Sequence, residues 1–353
     1  MFKKIVSVVA SAAVVAGVLL AAPAQAAGQS INGSGSSFAN NAMQACVAAY
    51  STNEVTYTST GSGTGRSQFA AGTTKFGASD SVYKSGYPTV NYTTVPLFGG
   101  PVAFVYTAAG VSDGLNLTAQ NISDIFRGEI TRWDDSRIKA NNTKIKLPKK
   151  TIKVLYRSGS SGTSENISDY LAQNLPGQGW TKSGTWATAT GMTTPKGTGF
   201  PTSGDLVTAI EDSLNAFSYF DLSDANTADV SIAKLKNAAG AFVAPTASAA
   251  AKFLNAQTWV TNGTDATNGT VTIDFTKSVS GAYQLSILVY GLAPRFVPTA
   301  TNKVSTDAVK LAVGDFFKYV VSSCIPAKAA SLGYVPLGGK LKTNALNQIK
   351  LIG

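Results

Sequence analysis

Residues 156–164 read Tyr156-Arg157-Ser158-Gly159-Ser160-Ser161-Gly162-Thr163-Ser164, between an apolar run at 152–156 and a stretch with Ile167, Tyr170 and Leu171 at helical spacing. That order predicts strand, turn, helix. The first N–H groups of a helix have no intrahelical acceptor, and the aligned peptide dipoles favour negative charge there, so such a turn is an anion site. Arg157 at its mouth adds a fixed cation whose planar fork of donors matches a tetrahedral oxyanion bidentately. Two more Gly/Ser turns precede helical patterns upstream. The first is Gly33-Ser34-Gly35-Ser36-Ser37-Phe38, before Ala42, Ala45, Cys46 and Ala49; the second is Gly61-Ser62-Gly63-Thr64-Gly65, after a strand-like run at 55–58. Each alone is no more than a cap, with Ser36 or Ser37 able to accept from the first helical turn. The second lacks the GxxxxGK[ST] spacing of a nucleotide loop and has Arg66 where that loop needs lysine, which leaves a backbone nest for a smaller anion. A short β-like run at 75–80 ends in Asp80. Ligands in open α/β sheets collect beyond the carboxyl ends of strands, so Asp80 can face the same cleft. A carboxylate beside an anion site suits a protonated oxyanion, whose O–H needs an acceptor; its alternative role is a cap or a surface ion pair.

The elements that must position these groups alternate between strand and helix. Strand-like runs at 102–106 and 285–290 and amphipathic stretches at 117–138, 206–214 and 306–323 frame them, 271–275 reads as a further strand, and 233–254 as Ala-rich helix with turns. Residues 174–205, rich in Gly, Thr and Pro, carry no clear period. Trp133 reads as a packing anchor. With 353 residues, two domains of roughly 150 residues each are the natural expectation.

Residues 1–26 combine a basic start (Lys3, Lys4), an apolar run and Ala24-Gln25-Ala26, the pattern of a secretory signal peptide. No cysteine follows the expected cleavage point, which argues against a lipoprotein. No later run is long and apolar enough to span a bilayer, so a soluble periplasmic or secreted protein is expected. Two cysteines, Cys46 and Cys324, in an oxidising compartment favour one disulfide between the beginning and the end of the chain; buried free thiols are the alternative.

The chain contains no histidine, which removes Ser-His-Asp and Cys-His nucleophiles and His-based metal sites. No catalytic residue, cofactor or metal is expected. The formal charge of +10 falls to +8 without Lys3 and Lys4, and charged residues are only 14% of the chain. Aromatics are not interleaved with basic runs, so a nucleic-acid partner is not supported. The densest basic stretch, 144–153, reads as a solvated loop and strand edge.

Taken together, these loops resemble the periplasmic phosphate-binding proteins of phosphate ABC transporters. Residues 33–38 match that family's opening GxGxxF loop, 61–64 its second loop, Phe76-Gly77-Ala78-Ser79-Asp80 its FGASD element and 157–164 its arginine-to-SGTS element; 125–135 is similar to its WDD unit. The resemblance is strong from about residue 31 to 171 and weaker afterwards. It implies a two-lobe α/β fold of the type II binding-protein kind, with the ligand cleft between lobes joined by crossing strands. Lobe 1 would be 27–97 with 280–353, and lobe 2 98–279, which puts both cysteines in lobe 1. It implies capture of inorganic phosphate and delivery to ABC permease subunits by a monomer that is not an enzyme. The contacts carried over are Ser37, Phe38 (through its backbone N–H), Thr64, Asp80, Arg157, Ser161, Gly162 and Thr163. Two positions depart from the family pattern. An acid commonly stands two residues after the arginine, where this chain has Gly159, and the family's later GNDG loop is replaced by Thr202-Ser203-Gly204-Asp205. These departures keep open another oxyanion (sulfate, molybdate or tungstate) and, from a different class, an exported phosphate-ester hydrolase using a serine of the 158–164 loop.

Overall fold

The computed structural model describes residues 28–82, 91–258, 269–302 and 304–352; the expected signal segment lies outside them. The strands are β1 (Ser30–Gly35), β2 (Glu54–Ser59), β3 (Phe76–Ser79), β4 (Tyr92–Tyr106), β5 (Asn116–Leu117), β6 (Lys153–Arg157), β7 (Thr198–Phe200), β8 (Ala216–Asp221), β9 (Ser231–Ile232), β10 (Lys234–Lys236), β11 (Phe242–Val243) and β12 (Ser286–Pro294). Nine of them form one sheet in the order β2-β1-β3-β12-β4-β8-β6-β7, with β9 also on β4; β11, β10 and β5 form a small second sheet.

The two-lobe α/β architecture follows from how β4 is shared. Its first part pairs antiparallel with β12, from Tyr92 opposite Pro294 to Pro101 opposite Ser286. Its last part, Val102 to Tyr106, pairs antiparallel with β8. One side of this crossing holds β1, β2 and β3, mutually parallel through β1, and the other holds β6 parallel to both β7 and β8. The carboxyl ends of β1, β2, β3 and β6 therefore open towards one cleft, where ligands gather in open α/β sheets. Apart from Tyr92 at its start, β4 is buried throughout, and it reads as a continuous apolar run because both faces are covered.

Aromatic rings pack on both sides of the crossing within one continuous core. On one side Phe76 packs against Phe316 and Phe317, with ring centroids 5.6 Å away in both cases. On the other, Trp133 lies against Tyr106 at 5.7 Å and Phe217 at 6.3 Å, the packing role its sequence context suggested. Cys46 and Cys324 are joined in a disulfide with Cα atoms 5.6 Å apart, which ties the helix Asn40–Ala49 to the C-terminal helices.

Several elements differ from their sequence reading. Residues 271–275 are not a strand, because side-chain amides replace a ladder. Gln173 donates to the Ile273 carbonyl (3.2 Å) and accepts from Phe275 N–H (2.9 Å), Gln257 accepts from Asp274 N–H (3.0 Å), and Asn174 donates to the Phe275 carbonyl (3.2 Å). Only the end of 233–254 is helical, from Ala247, since β10 and β11 take the beginning. The stretch 306–323 starts as the helix Ala308–Tyr319 and widens into a π-turn, Val320–Cys324, before a further helix, Ile325–Leu332. Within 174–205 lie a short helix, Trp186–Thr190, and β7.

Candidate anion-binding site

The β6 strand ends at Arg157, and the helix Gly162–Asn174 begins five residues later, with Ser161 as its N-cap accepting from Ser164 N–H at 3.1 Å. This is the strand, turn and helix that the residues predicted, and it leaves the first N–H groups of the helix without intrahelical acceptors. Gly162 is required by space. A Cβ there would lie 2.6 Å from Ser62 Oγ and 2.9 Å from Asp80 Oδ2, both across the cleft.

The opposing loops come from β1, β2 and β3. Gly35 has φ of +142°, and its carbonyl accepts from Thr60 N–H (3.0 Å) and Gly61 N–H (2.8 Å), which fixes the first two loops to each other. Tyr57 Oη donates to the Ser36 carbonyl (2.7 Å), and Tyr334 Oη donates to the Phe38 carbonyl (2.8 Å). Beyond β3, Asp80 is 4% exposed. Its Oδ1 accepts from Ser36 Oγ, its Oδ2 from Thr163 Oγ1 (3.1 Å), and its backbone N–H donates to Ser62 Oγ (3.2 Å). Burial raises the Asp80 pKa; the hydroxyls of Ser36 and Thr163 and the charges of Arg157 and Arg66 oppose this only in part.

Arg157 is equally buried, at 2% exposed. Its Nη1 donates to Ser37 Oγ (2.6 Å) and Ser203 Oγ (3.1 Å), while Nε and Nη2 both donate to the Pro201 carbonyl (3.0 and 2.6 Å). Burial lowers its pKa, against the opposing influence of Tyr219, Asp80 and Asp205. The remaining cross-cleft bonds include Gly63 N–H to the Ser160 carbonyl (2.9 Å) and Asn166 Nδ2 to the Asp80 carbonyl (2.7 Å). The two lobes thus meet in hydrogen-bond contact at the site.

Of the residues singled out from sequence, Ser37, Asp80, Arg157, Gly162 and Thr163 converge directly, and Phe38 and Ser161 are buried within the same loops. Thr64 does not join them. The helix Ser62–Ala70 buries Ser62, Gly65 and Phe69, so Thr64, two residues on from Ser62, is turned out to solvent. Ser62, 1% exposed, takes the position that Thr64 was expected to fill. The helical spacing of Ser62, Gly65 and Phe69 carried that phase. Ser36 and Ser203 also belong to the cluster. Ser36 was read only as a cap, and Ser203 came into view only as part of the departing 202–205 loop.

Chemically, one guanidinium, one carboxylate, several hydroxyls and two helix openings face each other in a buried cleft. Such a set can surround a tetrahedral anion with donors and offer one acceptor to a proton that the anion carries.

Known proteins resemble this chain over most of its length. The phosphate-binding protein PstS 3 of Mycobacterium leprae is 28% identical over 330 residues, covering 89% of this chain and 84% of that protein. The phosphate-binding protein PstS of Xylella fastidiosa is 29% identical over 320 residues, covering 87% and 81%. Among solved structures, a high-affinity periplasmic phosphate-binding protein, PfluDING, bound with phosphate, superposes with a TM-score of 0.70 at 21% identity, over 89% of this chain and 92% of that one. The family model described as the PBP superfamily domain matches residues 21–323, most of the chain, and the chain therefore belongs to the PBP superfamily.

Proposed function

We propose that this chain is an exported solute-binding protein that captures inorganic phosphate and hands it to an ABC-type membrane permease. The observation that carries the reading is the placement of Asp80. Its carboxylate is held by Ser36 from its own lobe and Thr163 from the other, in the same buried cluster as Arg157. Phosphate near neutral pH keeps a proton and can donate it to that carboxylate. Sulfate has no proton and would face a buried acceptor unpaired and repelling. Sites built to hydrogen-bond one such group reject analogues lacking it by about 10⁴-fold or more.

The ligand set under this reading is Ser37, the Phe38 N–H, Ser62, Asp80, Arg157, Ser161, Gly162 and Thr163. Arg157 supplies charge, the helix openings at Ser62 and Gly162 supply backbone and hydroxyl donors, and lobe closure excludes water so that each of these counts for more. The lobes divide as 27–97 with 280–353, and 98–279; β4 passes from β12 to β8 between Pro101 and Val102, close to the first of these boundaries. The protein acts as a monomer, without catalysis, after removal of residues 1–26 and without a lipid anchor. The phosphate-binding names of the relatives support the ligand assignment. Calorimetric titration of the mature chain with phosphate and with sulfate tests it: selective phosphate binding is expected, and equal binding of both, or turnover of a phosphate ester, would overturn it.

A further inference from the structure

The two departures from the family pattern, Gly159 and the 202–205 loop, meet in space at Arg157. A Cβ on Gly159 would lie 3.0 Å from the Pro201 carbonyl oxygen, so the missing side chain leaves that carbonyl room to reach the guanidinium. Thr202 starts the helix Ser203–Glu211 through a capping box. Its hydroxyl accepts from Asp205 N–H (3.2 Å), and the Asp205 carboxylate accepts from Thr202 N–H (3.0 Å). Asp205 is thereby turned onto its own helix start, and the groups bonded to the Arg157 guanidinium are neutral. The Pro201 carbonyl takes Nε and Nη2, while Ser203 Oγ takes Nη1 and also lies 2.9 Å from Ser37 Oγ. Ser203 is 3% exposed, and its N–H also donates to Ser37 Oγ (3.3 Å). Among the described residues no carboxylate forms an ion pair with Arg157.

We propose that Ser203 is a positioning residue for Arg157, acting with the Pro201 carbonyl in the space left by Gly159 to aim the guanidinium at the anion through a neutral cradle. A fork of donors fixed by uncharged acceptors keeps more of its charge for the ligand than one tied up in a contact ion pair, with Asp80 and Asp205 acting on it only through space. The cradle also reaches Ser37 of the other lobe, which bonds both Arg157 Nη1 and Ser203 Oγ.

This inference rests on the phosphate reading, and the test separates the two. Phosphate and sulfate affinities of the wild-type chain, Ser203→Ala, Ser203→Thr and Gly159→Ala would be measured by calorimetry, with thermal melts of each protein free of phosphate. Ser203→Ala is expected to weaken phosphate about tenfold, the scale of one hydrogen bond to a charged group, with sulfate weakened in proportion and the melting temperature unchanged. Ser203→Thr, which keeps the hydroxyl, should hold wild-type affinity. Gly159→Ala, which pushes the Pro201 carbonyl aside without touching Ser203, should weaken phosphate as Ser203→Ala does. Wild-type affinity in Ser203→Ala, equal losses in Ser203→Ala and Ser203→Thr, or a loss of stability without loss of affinity would overturn the positioning role while leaving the phosphate reading intact. Failure of the wild-type chain to bind phosphate would overturn both.

Discussion

Replacing Asp80 by Asn probes the origin of selectivity at a single atom. A carboxylate accepts up to about four hydrogen bonds, and Ser36 and Thr163 leave part of that capacity facing the cleft. Phosphate uses it through its own O–H, a bond to a charged acceptor of about 1.5–3 kcal/mol. Sulfate cannot, and meets a like charge whose repulsion at roughly 4 Å and an effective dielectric near 20 is about 4 kcal/mol. In Asp80→Asn the repulsion disappears for both anions, and the amide N–H can donate to either. The neighbouring hydroxyls rotate to suit an amide, so the fold should be kept. Phosphate then loses one charge-assisted bond but gains relief of repulsion, and its affinity should stay within about tenfold of wild type. Sulfate gains a donor and loses the repulsion, and should bind at least about 100-fold more tightly. Selectivity therefore collapses through the rejected ligand. Calorimetric titration of both anions at neutral pH, with a thermal melt to check folding, reads this directly; an unchanged sulfate affinity in a folded variant would refute the reasoning. The same logic gives a pH dependence. Burial raises the Asp80 pKa, so its protonation, and with it the loss of phosphate preference in the wild-type protein, should begin at a higher pH than for an exposed aspartate.

Three further outcomes are expected. Ser62→Ala should weaken phosphate about tenfold, while Thr64→Ala, on the exposed side of the same helix, should change it less than about twofold by the same titration; the reverse order would restore Thr64 to the site. Asp221 is buried, with no partner for its Oδ2 among the described residues, and burial and the Asp224 charge raise its pKa well above the usual value. The stability it contributes is present while it is protonated, below the ordinary carboxylate range, and is lost as pH rises through its raised pKa. Asp221→Asn should thus melt like wild type in acid but be more stable by about 1–3 kcal/mol at neutral pH, and equal destabilisation at both pH values would count against it. Removing the Cys46–Cys324 disulfide, whose partners are 278 residues apart, should cost about 2–5 kcal/mol in denaturant unfolding; identical midpoints with and without reductant would contradict this.

What could be read from sequence was the chemistry written locally. The strand into Arg157, the turn and helix after it and the acid at the end of β3 follow from short-range patterns, and the structure has them where the residues indicated. Thr64 lies on the exposed side of its helix, a phase that reading the loop as a motif does not carry. Residues 271–275 look like a strand by composition, but their backbone is satisfied by Gln173, Asn174 and Gln257, partners that no local pattern announces. The same holds for Arg157. Its principal acceptor is a main-chain carbonyl 44 residues away, and a peptide oxygen leaves no mark on the residue type that carries it.

The shared strand β4 has a mechanical consequence. Because one unbroken strand belongs to both halves of the sheet, the lobes cannot slide past each other without tearing ladder bonds, and a change in their relative orientation must bend β4 where its pairing passes from β12 to β8, beside Gly99, Gly100 and Pro101. That pivot sits directly under the binding loop. A Cβ on Gly100 would lie 3.1 Å from the Tyr334 ring and 3.2 Å from the Phe38 ring, and Tyr334 Oη in turn donates to the Phe38 carbonyl and lies 3.1 Å from Asp221 Oδ1 at the end of β8. The crossing and the 33–38 loop are in touch, so a bulky residue at Gly100 would displace both together.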